Sequence, residues 1–214
     1  MHTCNRSFPK RILLYKMIEM KKEFVELLLS TGREGVERVI VELGKLGFFE
    51  APASTKFHLS HPGGLLEHSM NVCHVALQIR DVMIGINPEL EEKIPKESVI
   101  LASLLHDVCK SDIYKPCISY KKNNEGKWDR IPGYEVDYAG MPLGHGEKSV
   151  IMLQMWGLKL TMDEILAIRW HMTAWDLAFQ SPEQKASLNV ARTNTPLCTV
   201  IQSADGLSSN LVEM

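Results

Sequence analysis

The stretch Ile100–Lys110, which reads I-L-A-S-L-L-H-D-V-C-K, most constrains what this chain can fold into. Ile100, Leu101, Leu104 and Leu105 recur at helical spacing, which predicts a helix buried over much of its surface. That helix runs into an adjacent imidazole and carboxylate, His106 and Asp107, with Lys110 one turn further on. Ionisable groups are costly inside a core unless they are paired, hydrogen-bonded or bound to metal. Taken alone, the His-Asp pair reads equally well as a helix C-terminus that reaches solvent. The rest of the chain shifts the balance, because His68, His145, His171 and Asp205 each lie on or beside a separate candidate helix.

A chain of 214 residues can bury one good core and does not require two domains. Its formal net charge of -2 gives no argument for an extended nucleic-acid track, although a phosphate-bearing ligand would need only a local basic patch. Five cysteines (Cys4, Cys73, Cys109, Cys117 and Cys198) are scattered without a close CxxC pair. Their odd number favours a reduced, intracellular chain over a disulfide scaffold. No stretch approaches about 18 consecutive apolar residues, so no membrane span is expected. Lys16 and Glu19 interrupt the apolar run near the N-terminus, which argues against a signal peptide and makes the cytoplasm the expected location.

Periodicity predicts an all-α fold. An amphipathic helix over residues 11–29, with Leu14, Ile18, Val25 and Leu28 on one face and a break near Met20, precedes a second over residues 33–45 that ends at Gly44 and Gly47. These make an N-terminal helical segment, residues 1–47, with no ligand-like chemistry and a role in packing on the core or in pairing with a second copy. Phe48-Phe49 then opens a second unit, residues 48–214. His58 and His61 occupy a Pro- and Gly-rich connector and read as loop residues first. His68 lies beside the face Leu66, Met70, Cys73 and Leu77 of a helix that Gly85, Asn87 and Pro88 should interrupt, and the central helix follows Pro95. A small β-hairpin is expected where Ile118–Tyr120, a turn at Asn123–Gly126 and Trp128 follow one another; the irregular stretch 111–143 is a candidate pocket rim or lid. His145 precedes the apolar face Val150, Leu153, Met155 and Trp156. Thr161 and Glu164 form a capping box, and Trp170-His171 falls near the far end of the helix it opens. Ser181-Pro182 and Thr195-Pro196 start two further helices, the last leading to Asp205.

A helical bundle can gather ligands from distant helices around one cavity. The candidate set is His68, His106, Asp107, His145, His171 and Asp205. Neutral imidazole and carboxylate suit divalent transition metals, and the lack of a cysteine cluster argues against a zinc finger or an iron–sulfur site. His106 and Asp107 are adjacent and cannot share one helix face, but a helix terminus can turn both toward one centre, especially where a carboxylate bridges two ions.

Gly63-Gly64-Leu65-Leu66-Glu67-His68, then Leu104-Leu105-His106-Asp107 with Lys110, then Asp205, resembles the HD superfamily of metal-dependent phosphohydrolases. Gly144-His145-Gly146-Glu147 and Trp170-His171 resemble the subgroup with two additional histidines, and the nearest likeness is to the HD domain of bacterial 3′–5′ exoribonucleases. The resemblance covers roughly residues 48–207. It implies an HD-domain helical bundle with a dinuclear centre: His68, His106, Asp107 and Asp205 on one ion, and Asp107 bridging to a second ion held by His145 and His171. The ions would be two divalent transition metals drawn from Fe, Mn, Ni, Co and Zn. The implied activity is phosphodiester or phosphomonoester hydrolysis, through a metal-activated water, of a nucleotide, a cyclic nucleotide or an oligonucleotide end. Asp107 and Lys110 would be catalytic, with Lys110, Lys148 and Arg169 as substrate contacts. Lys110 has a plainer role open to it, as a favourable charge near a helix C-terminus. One departure is visible, because Cys109 stands where many members have glycine in His-Asp-x-Gly-Lys; it adds bulk beside Lys110 and removes none of the expected ligands.

Two other functions fit the same residues: a di-iron oxygenase of HD type, and a non-catalytic binding protein with a metal-stabilised core. The expected partner is a phosphate-containing small molecule or an oligonucleotide end, with no membrane and no specific double-stranded nucleic acid. Tyr114, Tyr120, Trp128 and Tyr134 surround the irregular stretch and could stack on a base, whereas Trp156 and Trp170 read as packing anchors.

Overall fold

Phe24 decides how the first helix sits. A computed structural model describes residues 8–137, 140–173 and 181–213, leaving aside the side chains of residues 8–13 and 182. Helix α1 (Phe8–Ser30) is continuous, without the expected break near Met20. Lys21 and Lys22 interrupt the apolar pattern but face solvent, so the backbone has no reason to stop. Its inward stripe is Met20, Phe24 and Leu28, whereas Leu14 and Ile18 stay exposed. The stripe is turned this way because Phe24 packs against Phe48 and Phe49, with ring centroids 5.3 and 5.6 Å away. Aromatic pairs in tilted or edge-on geometry add to the gain from burial.

Helix α2 (Val36–Leu46) buries Val36, Val39 and Leu43 and stops at Gly47, whose left-handed backbone (φ 78°) lets its N–H reach the last carbonyls. Helix α3 (Gly64–Ile86) ends within the expected Gly85, Asn87 and Pro88 stretch, at Asn87, whose side chain accepts from the Glu89 N–H of a short 3-10 turn. Helix α4 (Lys96–Leu105) is the centre of the bundle. Every residue from Ser98 to Leu105 is buried, and α1, α3, α7 (Met162–Arg169) and α9 (Pro196–Leu207) pack around it.

A short turn of helix, α5 (Lys110–Ile113), leads into a two-stranded antiparallel hairpin, β1 (Tyr114–Lys122) and β2 (Trp128–Val136), paired from Tyr114↔Val136 to Lys122↔Trp128. It is longer than the sequence suggested at both ends. Helix α6 (His145–Met155) follows, then α7 with its capping box between Thr161 and Glu164, α8 (Pro182–Asn194) capped by Ser181, and α9, which continues into a π-helical turn at Ser208–Val212. Among the described residues the chain is mostly helical with one small antiparallel sheet, consistent with an all-α fold carrying a hairpin. None of those helices is long and apolar enough to cross a membrane.

One buried carboxylate ties the bundle together. Glu164 receives Arg33 Nη2 and Nη1 at 2.7 and 2.8 Å, the Ser98 hydroxyl at 2.7 Å and the Thr161 N–H at 2.8 Å. The approach to α2, the start of α4 and the start of α7 are thereby joined at one point.

Candidate metal centre

Two helices end in the same local device. After Leu105 the chain leaves α4 in a turn, and His106 Nδ1 donates to the carbonyl of Ser103 at 2.8 Å. After Arg169 the chain leaves α7, and His171 Nδ1 donates to the carbonyl of Ile168 at 2.7 Å. A carbonyl only accepts, so each Nδ1 carries the hydrogen and each ring turns its Nε2 inward. His68, on α3, repeats the arrangement with a carboxylate, its Nδ1 lying 3.0 and 3.1 Å from the two oxygens of Glu213. Holding the outer nitrogen of an imidazole in this way is how proteins orient metal-binding histidines.

Glycines bring these ends together. A Cβ on Gly64 would lie 2.0 Å from the Leu59 carbonyl oxygen, so only glycine lets the 53–63 loop close over the start of α3. A Cβ on Gly146 would lie 2.3 Å from the Arg169 carbonyl oxygen. The start of α6 therefore rests directly on the end of α7, which sets the His145 and His171 rings 5.8 Å apart.

Asp107 stands at the middle and divides its two oxygens. Oδ2 faces His106 Nε2 at 3.1 Å, His68 Nε2 at 3.4 Å and Lys110 Nζ at 2.6 Å. Oδ1 faces His145 Nε2 at 2.8 Å and His171 Nε2 at 3.3 Å. The last contact is close but not aligned as a hydrogen bond, and His171 Nε2 is buried without one. Asp205 closes the Oδ2 side, with its Oδ1 3.4 Å from His68 Nε2. All six residues that the sequence singled out as ligands thus meet at one place.

The donor set fits metal ions. His68 and His106 point their Nε2 atoms at each other across 3.2 Å, so without a bound cation one of the two must carry a hydrogen between them. Four trios among the described residues place one donor atom each within 4.8 Å of the others: His58, His68 and Glu213; His68, His106 and Asp205; His106, Asp107 and His171; and Asp107, Cys109 and His145. Donors sharing one transition-metal ion at about 2.0–2.3 Å are separated by distances of this order.

The electrostatics say the same. Burial would pull the His68 imidazole down, yet hydrogen bonds with Asp107, Asp205 and Glu213 push it up to about 10. Burial is likewise overcome at His145, which Cys109 and Asp107 push up to about 10. At His106 burial wins and the ring is shifted down. Burial would raise Asp107 and Asp205, but Lys110, His106 and His145 hold the first well below the usual carboxylate range, and His68 and His106 hold the second below it. The cluster therefore retains positive charge at neutral pH, in the place a divalent cation would take instead.

A cleft of ≈ 710 Å³ opens onto the cluster, lined among others by His58, Lys110, Tyr114, His145, His171 and Asp205. That size suits a small-molecule ligand. Lys110 both pairs with Asp107 and lines this cleft. The structure does not bring Lys148 or Arg169 into its lining: Lys148 is buried in an ion pair with Asp112, and Arg169 pairs with Glu147 at 2.7 Å and lies over the Trp170 ring. Of the four aromatic residues on the irregular stretch, Tyr114 lines the cleft, while Tyr120 and Trp128 are exposed along the hairpin.

Sequence reasoning missed Glu213 and left His58 as a loop residue. Glu213 also accepts from Asn71 Nδ2 at 3.1 Å, and its carboxyl is held low, burial being outweighed by His68. The one signal for it was a carboxylate two helical turns beyond Asp205, which means little until α9 is seen to continue past Leu207. The His58 ring lies tilted against His68, centroids 5.1 Å apart, with its Nε2 buried and lacking a hydrogen bond, and burial shifts the ring down.

No protein-family model matches the chain, and no solved structure matches it. It is similar to the dihydroneopterin 2′,3′-cyclic phosphate phosphodiesterase of Methanocaldococcus jannaschii, with 29% identity over 120 residues. The match covers 56% of this chain and 43% of that protein, less than half of the relative's length. The chain is thus a distant homologue of a phosphodiesterase, with a buried His/Asp cluster able to bind metal ions.

Proposed function

We propose that the protein is a metal-dependent phosphohydrolase of the HD type, cleaving phosphoester bonds in nucleotides, cyclic nucleotides or oligonucleotide ends. The observation that carries this reading is the division of Asp107, whose oxygens face two separate groups of imidazoles. A carboxylate so placed suits a bridge between two cations. In this reading His68, His106, Asp107 and Asp205 would hold one divalent transition-metal ion, and Asp107, His145 and His171 would hold the other. Such ions, when bound, supply a nucleophilic water at neutral pH and offset charge on the phosphoryl oxygens. The relative's action on a 2′,3′-cyclic phosphate supports phosphodiesters as the first class to examine.

The chain's own residues have distinct tasks. Lys110 lines the cleft, with its Nζ 2.6 Å from Asp107. Its ammonium has three hydrogens to give, so it can hold a phosphoryl oxygen while it stays paired. Asp107 and Asp205 keep their negative charge throughout the neutral range, as anionic ligands must. Ser103, Ile168 and Glu213 fix the rings of His106, His171 and His68 from behind. Lys148 and Arg169 act at a distance from substrate in this reading, steadying the first turn of α6 through Asp112 and Glu147.

The test is turnover of a panel of 2′,3′- and 3′,5′-cyclic nucleotides, nucleoside monophosphates and short oligonucleotides. Protein reconstituted with Mn, Fe, Co, Ni or Zn is assayed without oxygen. The expected result is ester cleavage that a chelator abolishes and metal restores. Protein that binds its metals yet cleaves none of these esters, or turns over only with oxygen, contradicts the proposal.

A further inference from the structure

The trio Asp107, Cys109 and His145 contains a donor that the two-ion reading leaves unused. Cys109 is fully buried, and its sulfur lies with a carboxylate oxygen of Asp107 and a ring nitrogen of His145 inside a 4.8 Å group. A cysteine in a core is ordinarily a small apolar filler, and on its outer side this one packs against Ile113 and Met152. A second observation points to a ligand on its inner side. His171 Nε2, in a side chain 2% exposed, has no hydrogen bond and lies 3.3 Å from Asp107 Oδ1, the oxygen that also faces His145 at 2.8 Å. The Oδ1 side of Asp107 thus collects a carboxylate oxygen and two imidazole nitrogens, one unpartnered, and the Cys109 sulfur lies within 4.8 Å of the Asp107 and His145 donor atoms there. The Cys109 backbone is tied to α6 one turn beyond His145, its N–H donating to Ser149 Oγ at 3.3 Å.

We propose that Cys109 is a thiolate ligand of the ion on the Oδ1 side of Asp107, so that the two metal positions have different donor sets. The inference rests on the two-ion reading above. On the Oδ2 side the donors are nitrogen and oxygen alone, from His68, His106, Asp107 and Asp205. On the Oδ1 side His145, His171 and Asp107 are joined by one sulfur. On binding, the S–H bond breaks, its proton leaves to solvent, and the sulfur lone pair enters the metal coordination sphere without any redox change. A soft donor moves selectivity from manganese toward zinc, iron and cobalt at that position only. Among the other described cysteines, Cys73, Cys117 and Cys198 belong to no such group of donors.

The experiment titrates the metal-stripped full chain with cobalt(II), reading bound metal and the near-ultraviolet spectrum together. The expected result is two cobalt ions per chain, with a sulfur-to-cobalt charge-transfer band that develops with only one of them. In Cys109→Ser and Cys109→Gly the band is lost and that ion binds about tenfold or more weakly, while the other is retained. Two bound ions without the band, or a band that survives both substitutions, overturns the assignment of Cys109 and leaves the two-ion reading standing. Failure of the wild-type chain to bind a second ion overturns the two-ion reading and the inference with it. Should both variants misfold, zinc-edge X-ray absorption on the wild-type chain decides: one sulfur at about 2.3 Å from half of the bound zinc is expected, and a spectrum with no sulfur overturns the proposal.

Discussion

Glu164 and Asp107 are both buried carboxylates in the same bundle, at 0% and 1% exposure, and their surroundings differ in kind. Around Glu164 stand an arginine, a hydroxyl and a backbone N–H, each with its own hydrogen to give. Those donors compensate both oxygens, and nothing further is needed there. Around Asp107 stand four imidazoles and a lysine. Two of the imidazoles commit their Nδ1 hydrogens to carbonyls behind them and turn Nε2 toward a centre that already holds a carboxylate. A buried charge with opposite charge and donors around it is a staple. Around Asp107 the lysine and the raised imidazoles of His68 and His145 supply positive charge that a metal ion could replace, and that difference sets the candidate site apart from the structural one.

The contrast can be broken most sharply at its two centres. Asp107→Asn keeps the shape and removes the shared negative charge; in the proposed reading it lowers turnover by about 10³-fold and reduces bound metal, read by steady-state assay and metal analysis. Near wild-type values for both would remove Asp107 from the centre. Glu164→Ala should do the reverse. Leaving Arg33 without its buried partner costs roughly 3–5 kcal/mol of stability, measured by denaturant unfolding, while the folded fraction still binds metal. A variant as stable as wild type would mean that Glu164 is not the staple described.

Smaller effects sharpen the picture. Lys110→Ala should lower phosphoester turnover by about 10²-fold and leave metal content unchanged; loss of metal instead would make Lys110 a positioning residue for Asp107. Glu213→Gln keeps a hydrogen-bond acceptor but removes the charge behind His68, so metal affinity should fall about 10–100-fold by competition with a chelator. An unchanged affinity leaves Glu213 with a packing role only.

The smallest effect is in the pH profile of stability. His68 and His145 are pushed from an ordinary 6.5 up to about 10 by the carboxylates and thiol around them. In metal-stripped protein their contribution to stability is fully present below about pH 6.5 and is lost as pH rises through about 10. A metal ion displaces those protons, so the loaded protein should hold its melting temperature across that window while the stripped protein declines. Parallel profiles for the two forms would contradict this.

The parts of the fold set by local chemistry were legible. Thr161-x-x-Glu164, Ser181-Pro182 and Thr195-Pro196 announce helix starts that the structure contains. The apolar run before His106 forms the central helix. What depended on packing was not legible. The rotation of α1 is set by Phe24 meeting Phe48 and Phe49 across more than twenty residues, and periodicity alone favoured Leu14 and Ile18 for a face that proves exposed. At the site, the six acid and imidazole residues were visible because each breaks an apolar pattern. Glu213 was not, and Cys109 was read only as added bulk beside Lys110, since a glutamate or a cysteine looks alike in sequence whether or not other donor atoms lie within reach. Lys148 and Arg169 stood near expected ligands in sequence, but helix geometry turns their charges toward Asp112 and Glu147 instead.

Anomalous diffraction from crystals of the metal-loaded protein tests the central claim most directly. The account predicts two peaks flanking Asp107, one among His68, His106 and Asp205 and the other beside His145 and His171. A single peak, or peaks away from Asp107, would contradict it.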